Sequence, residues 1–124
     1  MKIRQIAEIL DATVLAGEAD LDHDAKTACG SDMMSDVLAF VKDQSVLLTG
    51  LINPQVMRTA DMMDIVCIVF VRGKQPDPAV IEMAEERGIV VLATKLPLFT
   101  ACGKLYAAGL SGGGIRIQIG RAHV

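Results

Sequence analysis

The pattern of apolar and polar positions is clearest between residues 65 and 94. Residues 65–71 form an apolar run without alternation, which predicts a strand covered on both faces, as in the centre of a parallel sheet. Asp77-Pro78 predicts a helix start, because proline at the first helical position gives up an N–H that has no partner there. Gly88 predicts the end of this helix. Residues 89–93 then predict a second buried strand.

The same alternation of strand and helix extends to both sides of this stretch. Residues 45–48 predict a strand that ends at Thr49-Gly50, and Asn53-Pro54 predicts the next helix start. A final helix is predicted over residues 97–110, with an expected buried side of Leu98, Phe99, Cys102, Leu105, Tyr106 and Gly109. Alternating elements imply right-handed crossovers and parallel pairing. The predicted fold is a single three-layer α/β/α domain with a mostly parallel sheet.

The N-terminal third of the chain is less regular. Residues 2–10 have helical spacing, residues 13–16 are a short β-prone run, and a further strand is predicted near residues 26–29. Ser31 or Asp32 is expected to cap a second helix that runs to Val41. We expect the strands of this third to be edge strands.

From residue 111 the sequence changes character. The three glycines at 112–114 match neither of the common glycine-rich phosphate-loop motifs, so they are interpreted as a linker. Ile115, Ile117 and Ile119 then alternate with polar residues, which is typical of an edge strand or of a strand that pairs with another subunit. The predicted division is an α/β domain at residues 1–110 and a linker with a possible edge or exchanged strand at residues 111–124.

Composition narrows the classes of function. With 124 residues the chain suits one core, and its hydrophobic content of 52% with a mean hydropathy of +0.42 predicts surplus apolar surface for a partner, for instance a second copy in a homodimer. A net charge of −3 and an aromatic content of 3% argue against nucleic-acid binding. The longest apolar run is too short to cross a membrane. Three cysteines without a CxxC pair fit a reducing compartment, so a cytoplasmic location is expected.

The strongest candidate site lies at the strand ends. Ligands of open parallel sheets sit beyond the carboxyl ends of the strands. The residues expected there are Thr49, Gly50, Arg72, Gly73, Lys74, Thr94 and Lys95. Arginine and lysine would neutralise an anion such as a phosphate or a nucleotide, and Gly73 is expected to let backbone N–H groups approach it. The alternative is that these polar residues are ordinary loops that leave buried strands.

Other candidate chemistry is weak. The acidic run at residues 20–24 begins like a calcium loop, but Ala25 and Ser31 stand where that loop needs glycine and glutamate, so a solvated turn is expected. A nucleophilic cysteine needs a nearby base, and the sequence holds just two histidines, His23 and His123. We therefore predict no catalytic residues and no metal site.

Two segments resemble the DRTGG-domain family over roughly residues 1–110. They are CGSDMM at residues 29–34, and the strand, turn, helix and strand that lead into GIVVLATKLPLF at residues 88–99. The name-giving motif falls at residues 70–74, where this chain has FVRGK and lacks the leading aspartate and the second glycine.

The resemblance implies a fold similar to the N-terminal domain of HPr kinase/phosphorylase. Members of the family occur fused to CBS domains in regulated pyrophosphatases, at the front of long phosphotransacetylases, and as small stand-alone proteins. This implies regulation, ligand sensing or subunit assembly rather than catalysis. We predict a non-enzymatic, self-associating regulatory module that binds an anionic small molecule such as an adenine nucleotide. The alternatives are an interaction subunit for a partner enzyme or regulatory protein, and an unrecognised phosphotransferase.

Overall fold

The computed structural model describes residues 1–41 and 43–112. Within them, helices and strands follow in this order: α1 (Ile3–Ile9), β1 (Thr13–Ala16), β2 (Thr27–Gly30), α2 (Met34–Phe40), β3 (Ser45–Thr49), α3 (Pro54–Met62), β4 (Ile65–Phe70), α4 (Pro78–Arg87), β5 (Val90–Ala93) and α5 (Leu98–Ala107). A short 3-10 helix, Glu18–Asp20, joins β1 to β2. The predicted alternation from residue 45 onward is confirmed.

The five strands form one sheet in the order β1-β5-β4-β3-β2. Strands β2 to β5 pair in parallel, whereas β1 pairs antiparallel with β5. Both strands of the N-terminal third therefore lie at the edges, as expected. The predicted α/β fold with a mostly parallel sheet is confirmed.

Two apolar layers cover the sheet, one on each face. Alternate residues of β4 point into opposite layers, with Cys67 and Val69 on the side of α1 and α5, and Ile68 and Phe70 on the side of α3 and α4. All four of these side chains are fully buried. An unbroken apolar run is what a strand between two helical layers requires, because neither of its faces meets water.

Three helix boundaries lie where the sequence predicts them, namely the starts of α3 and α4 and the end of α4. The Asn53 side chain accepts a hydrogen bond from the N–H of Gln55 at 3.1 Å, and Pro54 is the first residue of α3. Pro78 is likewise the first residue of α4. Gly88 ends α4 with a φ of 69°, a left-handed backbone that glycine adopts at little cost.

The predicted cap of the second helix is wrong. Met33 occupies the N-cap position of α2, and no side chain caps this helix end. The Ser31 hydroxyl accepts from the N–H of Met33 at 3.0 Å, which forms a local turn before the helix. The Asp32 carboxylate points away from the helix, to the end of β3.

The predicted buried side of α5 is partly wrong. Ala101 and Leu105 face the sheet and are buried, whereas the side chains of Phe99 and Tyr106 are 90% and 68% exposed. The six residues expected on one side lie within about 120° of the helix circumference, but the face that packs against the sheet is centred on Ala101 and Leu105. Phe99 and Tyr106 lie at the far border of the predicted side, and Gly109 lies beyond the helix end.

The predicted strand at residues 115–119 lies outside the described residues. Among the helices that the structure describes, none is long and apolar enough to cross a bilayer.

Candidate functional site

The carboxyl ends of the parallel strands meet at one edge of the sheet. Thr49 pairs with Phe70, and Phe70 pairs with Ala93, so that β3, β4 and β5 end side by side. Beyond β4, the N–H of Val71 donates to the carbonyl of Thr49 at 3.1 Å. The structure thus brings together the three strand ends that carry the predicted site residues.

A tight turn at residues 71–74 follows β4. The N–H of Lys74 donates to the carbonyl of Val71 at 3.1 Å, and the two central residues, Arg72 and Gly73, have φ of 60° and 70°. The N–H of Arg72 donates to Leu96 at 2.8 Å, and that of Gly73 donates to Thr94 at 3.0 Å. These backbone donors are therefore engaged within the protein. The expectation that Gly73 offers N–H groups to a ligand does not fit this geometry, since the glycine serves the left-handed turn.

The Asp32 carboxylate, in the loop after β2, joins the ends of β3 and β4. Its Oδ1 accepts from the N–H of Gly50 at 2.6 Å and from the hydroxyl of Thr49 at 3.1 Å. Its Oδ2 lies 3.6 Å from the Arg72 Nη2. A Cβ at Gly50 would displace the guanidinium of Arg72 from its present position beside Asp32. The hydroxyl of Thr49 also accepts from the N–H of Leu51 at 3.1 Å.

Thr94 holds a second, separate set of contacts at the end of β5. Its buried hydroxyl donates to the carbonyl of Leu10 at 2.8 Å and accepts from the N–H of Leu96 at 3.3 Å. The hydroxyls of Thr49 and Thr94 thus both have protein partners. Their evident role is to fix the loops around the strand ends.

An open cleft of about 590 Å³ lies beside these loops. Its walls come from the turn between α1 and β1 and from the ends of β4 and β5, and they comprise Leu10, Asp11, Thr13, Leu15, Gly73, Gln75, Ala93, Thr94, Lys95 and Leu96. Lys95 and Gln75 are exposed and can donate hydrogen bonds to a bound molecule. Asp11, which has a φ of 48°, also lines the cleft.

Two basic side chains lie on the turn beside the cleft. Arg72 is 46% exposed and is shared with Asp32, whereas Lys74 is exposed and has no carboxylate within 4.0 Å in the described part of the chain. Of the predicted site residues, Lys95, Gly73 and Thr94 line the cleft itself, while Thr49 and Gly50 lie on the far side of Arg72. The sequence interpretation missed Asp32, and it also missed Asp11 and Gln75 of the cleft. For Asp32, the available signal is its position in the loop after a predicted strand, because parallel strands end at the same edge.

The cysteines lack the environment of a nucleophile. Burial raises the pKa of the Cys67 thiol, which is fully enclosed within β4. Burial also raises the pKa of Cys29, with a further contribution from the charge of Asp36, and it raises the pKa of Cys102. These thiols stay protonated near neutral pH, and the thiolate is the reactive form.

Arg4 of the first helix binds the acidic run near residue 22. The Arg4 Nε lies 3.0 Å from the Asp22 Oδ1, and this hydrogen bond lowers the pKa of Asp22. His23 lies 3.6 Å from Asp20. Over residues 1–41 and 43–112, no three His, Cys, Asp or Glu side chains are grouped as metal ligands would be.

Comparison with known proteins finds a domain family and a solved structure that resemble this chain. The family model of the DRTGG domain matches residues 5–108. No curated protein matches the chain significantly. Among solved structures, the chain is similar to the CBS and DRTGG domains of the regulatory region of Clostridium perfringens pyrophosphatase, a crystal structure of the complex with the activator diadenosine tetraphosphate.

That likeness has a TM-score of 0.70 at 18% sequence identity, and it covers 84% of this chain and 45% of the other. At this identity the likeness shows the fold. The chain spans less than half of the pyrophosphatase region that it matches. The family match, in contrast, includes every strand of the sheet and the loops that carry Asp32 and Arg72. The chain belongs to the DRTGG domain family.

Proposed function

We propose that this chain is a non-catalytic, cytoplasmic regulatory module that binds an anionic small molecule, such as an adenine nucleotide, at the strand ends. The observation that carries the proposal is the open cleft beside β4 and β5, with Lys95 on its wall and with Arg72 and Lys74 on the adjoining turn. In open α/β sheets this edge is the usual ligand position. The cleft volume of about 590 Å³ suits a small organic ligand.

The basic side chains have different parts in this proposal. Lys74 and Lys95 are exposed and lack a carboxylate partner in the described residues, so they are free to approach a phosphate. Arg72 already forms an ion pair with Asp32, so it contributes less to binding of the ligand. Thr49, Gly50, Gly73 and Thr94 then shape the loops, since their polar groups bond to other parts of the protein.

The related pyrophosphatase region supports the choice of ligand class. That protein was crystallised with diadenosine tetraphosphate as its activator. A module of this kind changes its partner's activity through ligand-dependent contacts, and it needs no reacting groups of its own. We therefore propose that a partner enzyme or regulatory protein responds to the bound state of this chain.

A thermal-shift screen tests the proposal. The probes are ATP, ADP, AMP, diadenosine tetraphosphate and inorganic phosphate, each against the full chain. A ligand at a hundred times its dissociation constant adds about 2.7 kcal/mol to the stability of the folded state. If none of the probes raises the melting temperature, the proposed ligand class is wrong.

A pair of variants locates the site for any probe that binds. We expect the double substitution Lys74→Gln and Lys95→Gln to weaken binding at least tenfold, because two positive charges are removed from the ligand. Lys26→Gln is the matched control, since Lys26 is exposed just before β2, at the opposite edge of the sheet. Equal affinity in the double variant and the control would show that the ligand binds elsewhere.

A further inference from the structure

The outward face of α5 is apolar although it is exposed. Phe99, Gly103 and Tyr106 are four and three residues apart, so they lie on one side of the helix. The two aromatic side chains are 90% and 68% exposed, and Lys104 is the one charged residue of α5. A helix at the surface of a monomer normally presents polar residues to water. Nothing else in the described part of the chain covers this face.

Gly103 is unexpected in the middle of a helix. Glycine destabilises a helix interior relative to alanine. At this position a Cβ would meet no atom within 4 Å, so packing inside the chain does not require the glycine. The gap that it leaves lies between two exposed aromatic rings and opens outward. A close neighbour from outside the chain would explain why this gap is present.

We infer that a second copy of the chain packs against α5, antiparallel, around a two-fold axis at Gly103. In such a pair the two glycines face each other at the crossing, which allows the helix backbones to approach closely. Phe99 then faces Tyr106 of the partner subunit, and the same contact recurs on the other side of the axis. A two-fold interface needs one surface that is complementary to itself, and a glycine flanked by two aromatic residues has this property.

The two exposed rings supply part of the area that a dimer interface buries. Buried aromatic side chains contribute roughly 150–250 Å² each, so the two rings supply on the order of 300 Å² per copy at their present exposure. A stable interface buries about 800 Å² per partner. An apolar groove of about 330 Å³ continues the surface from α5 to the edge strand β2, and it is lined by Ala28, Gly30, Leu48, Phe99, Cys102, Gly103, Tyr106, Leu110, Ser111 and Gly112. This groove extends the apolar surface beyond the two rings.

The open edge of β2 is partly covered by the chain itself. The N–H of Ala28 donates to the carbonyl of Ser111 at 2.9 Å. Extension of the sheet from one copy to the next would have to displace this bond. The structure therefore favours packing of α5 against α5 of a second copy over pairing of edge strands. This interface does not involve the proposed ligand site.

Sedimentation equilibrium of the full chain is the first test. We expect the wild-type chain to have twice the mass of the 13.2 kDa monomer at micromolar concentration. Phe99→Lys and Gly103→Gln should each raise the dissociation constant at least tenfold, because one buries a charge and the other fills the crossing point. Met62→Lys is the matched control and should remain dimeric, since Met62 is 72% exposed on α3. A wild-type monomer, or dimers in all three variants, would overturn the inference.

A fluorescent reporter shows whether a second copy or the chain's own residues 113–124 cover α5. The sequence has no tryptophan, so Tyr106→Trp gives a single signal on the proposed interface. We expect its emission to shift to shorter wavelength as the protein concentration rises, and to lose this shift when Gly103→Gln is added. A short-wavelength emission that is independent of concentration would mean that the same chain covers α5. That outcome would also overturn the inference.

Discussion

Among single substitutions in the exposed loops at the strand ends, removal of the Asp32 carboxylate should lower the stability of the protein most. In Asp32→Ala, the N–H of Gly50 and the hydroxyl of Thr49 lose their acceptor, at 2.6 and 3.1 Å, and Arg72 loses its ion pair. Hydrogen bonds to a charged group contribute about 1.5–3 kcal/mol each. Because Asp32 is 43% exposed, water screens these two bonds, and we take about 1 kcal/mol for each, below that range. The half-exposed ion pair at 3.6 Å adds less than about 1 kcal/mol.

The expected loss in the free energy of unfolding is therefore about 2–3 kcal/mol, or a fall of roughly 10 °C in melting temperature for a domain of this size. Urea unfolding followed by circular dichroism measures it. Asp32→Asn keeps an acceptor oxygen and should lose less than half as much, whereas Asp43→Ala, in an exposed turn before β3, should lose almost nothing. If Asp32→Ala costs under about 0.5 kcal/mol, or if the asparagine variant costs as much as the alanine variant, the hydrogen-bond account is wrong.

Three further outcomes follow from individual contacts. Gly103→Ala should raise the stability of the monomer, measured by urea unfolding at low protein concentration, by about 0.5–1 kcal/mol, because its Cβ meets open space. Thr94→Val should lower stability by about 1–2 kcal/mol, since it removes both bonds of a buried hydroxyl. The pKa of Asp22, measured by NMR titration, should lie below 3.8 and rise in Arg4→Met. A lowered pKa in the folded state means that this contact stabilises the fold above the unfolded pKa and is lost as the pH falls through the folded one.

The central elements could be predicted from the sequence because their signals are local. The apolar run of β4 shows by itself that both faces of the strand are covered, without information on neighbouring segments. The helix starts at Pro54 and Pro78 depend on backbone chemistry within a single helical turn. Parallel pairing then follows from the order of the elements. The meeting of β3, β4 and β5 at one edge could be expected for the same reason.

The missed features depend on contacts between distant segments. Asp32 has the local appearance of a helix cap, and its true partners at Thr49 and Gly50 become visible when β2 is known to lie beside β3. The exposure of Phe99 and Tyr106 depends on the rotation of α5 about its axis, which packing against the sheet decides. Apolar residues on two sides of a helix do not reveal which side is inward.

Arg72 links the stability of the strand ends to the proposed ligand. A left-handed backbone costs arginine about 1–2 kcal/mol more than it costs glycine, so the surrounding contacts must hold the residue in that conformation. The backbone hydrogen bonds of the turn to Leu96 and Thr94 do so, and the guanidinium lies over Gly50 and beside Asp32. The carboxylate and a bound anion then compete for the same cation. Asp32→Asn should consequently weaken the fold and strengthen binding of the anion, so stability and affinity change in opposite directions if the ligand contacts Arg72.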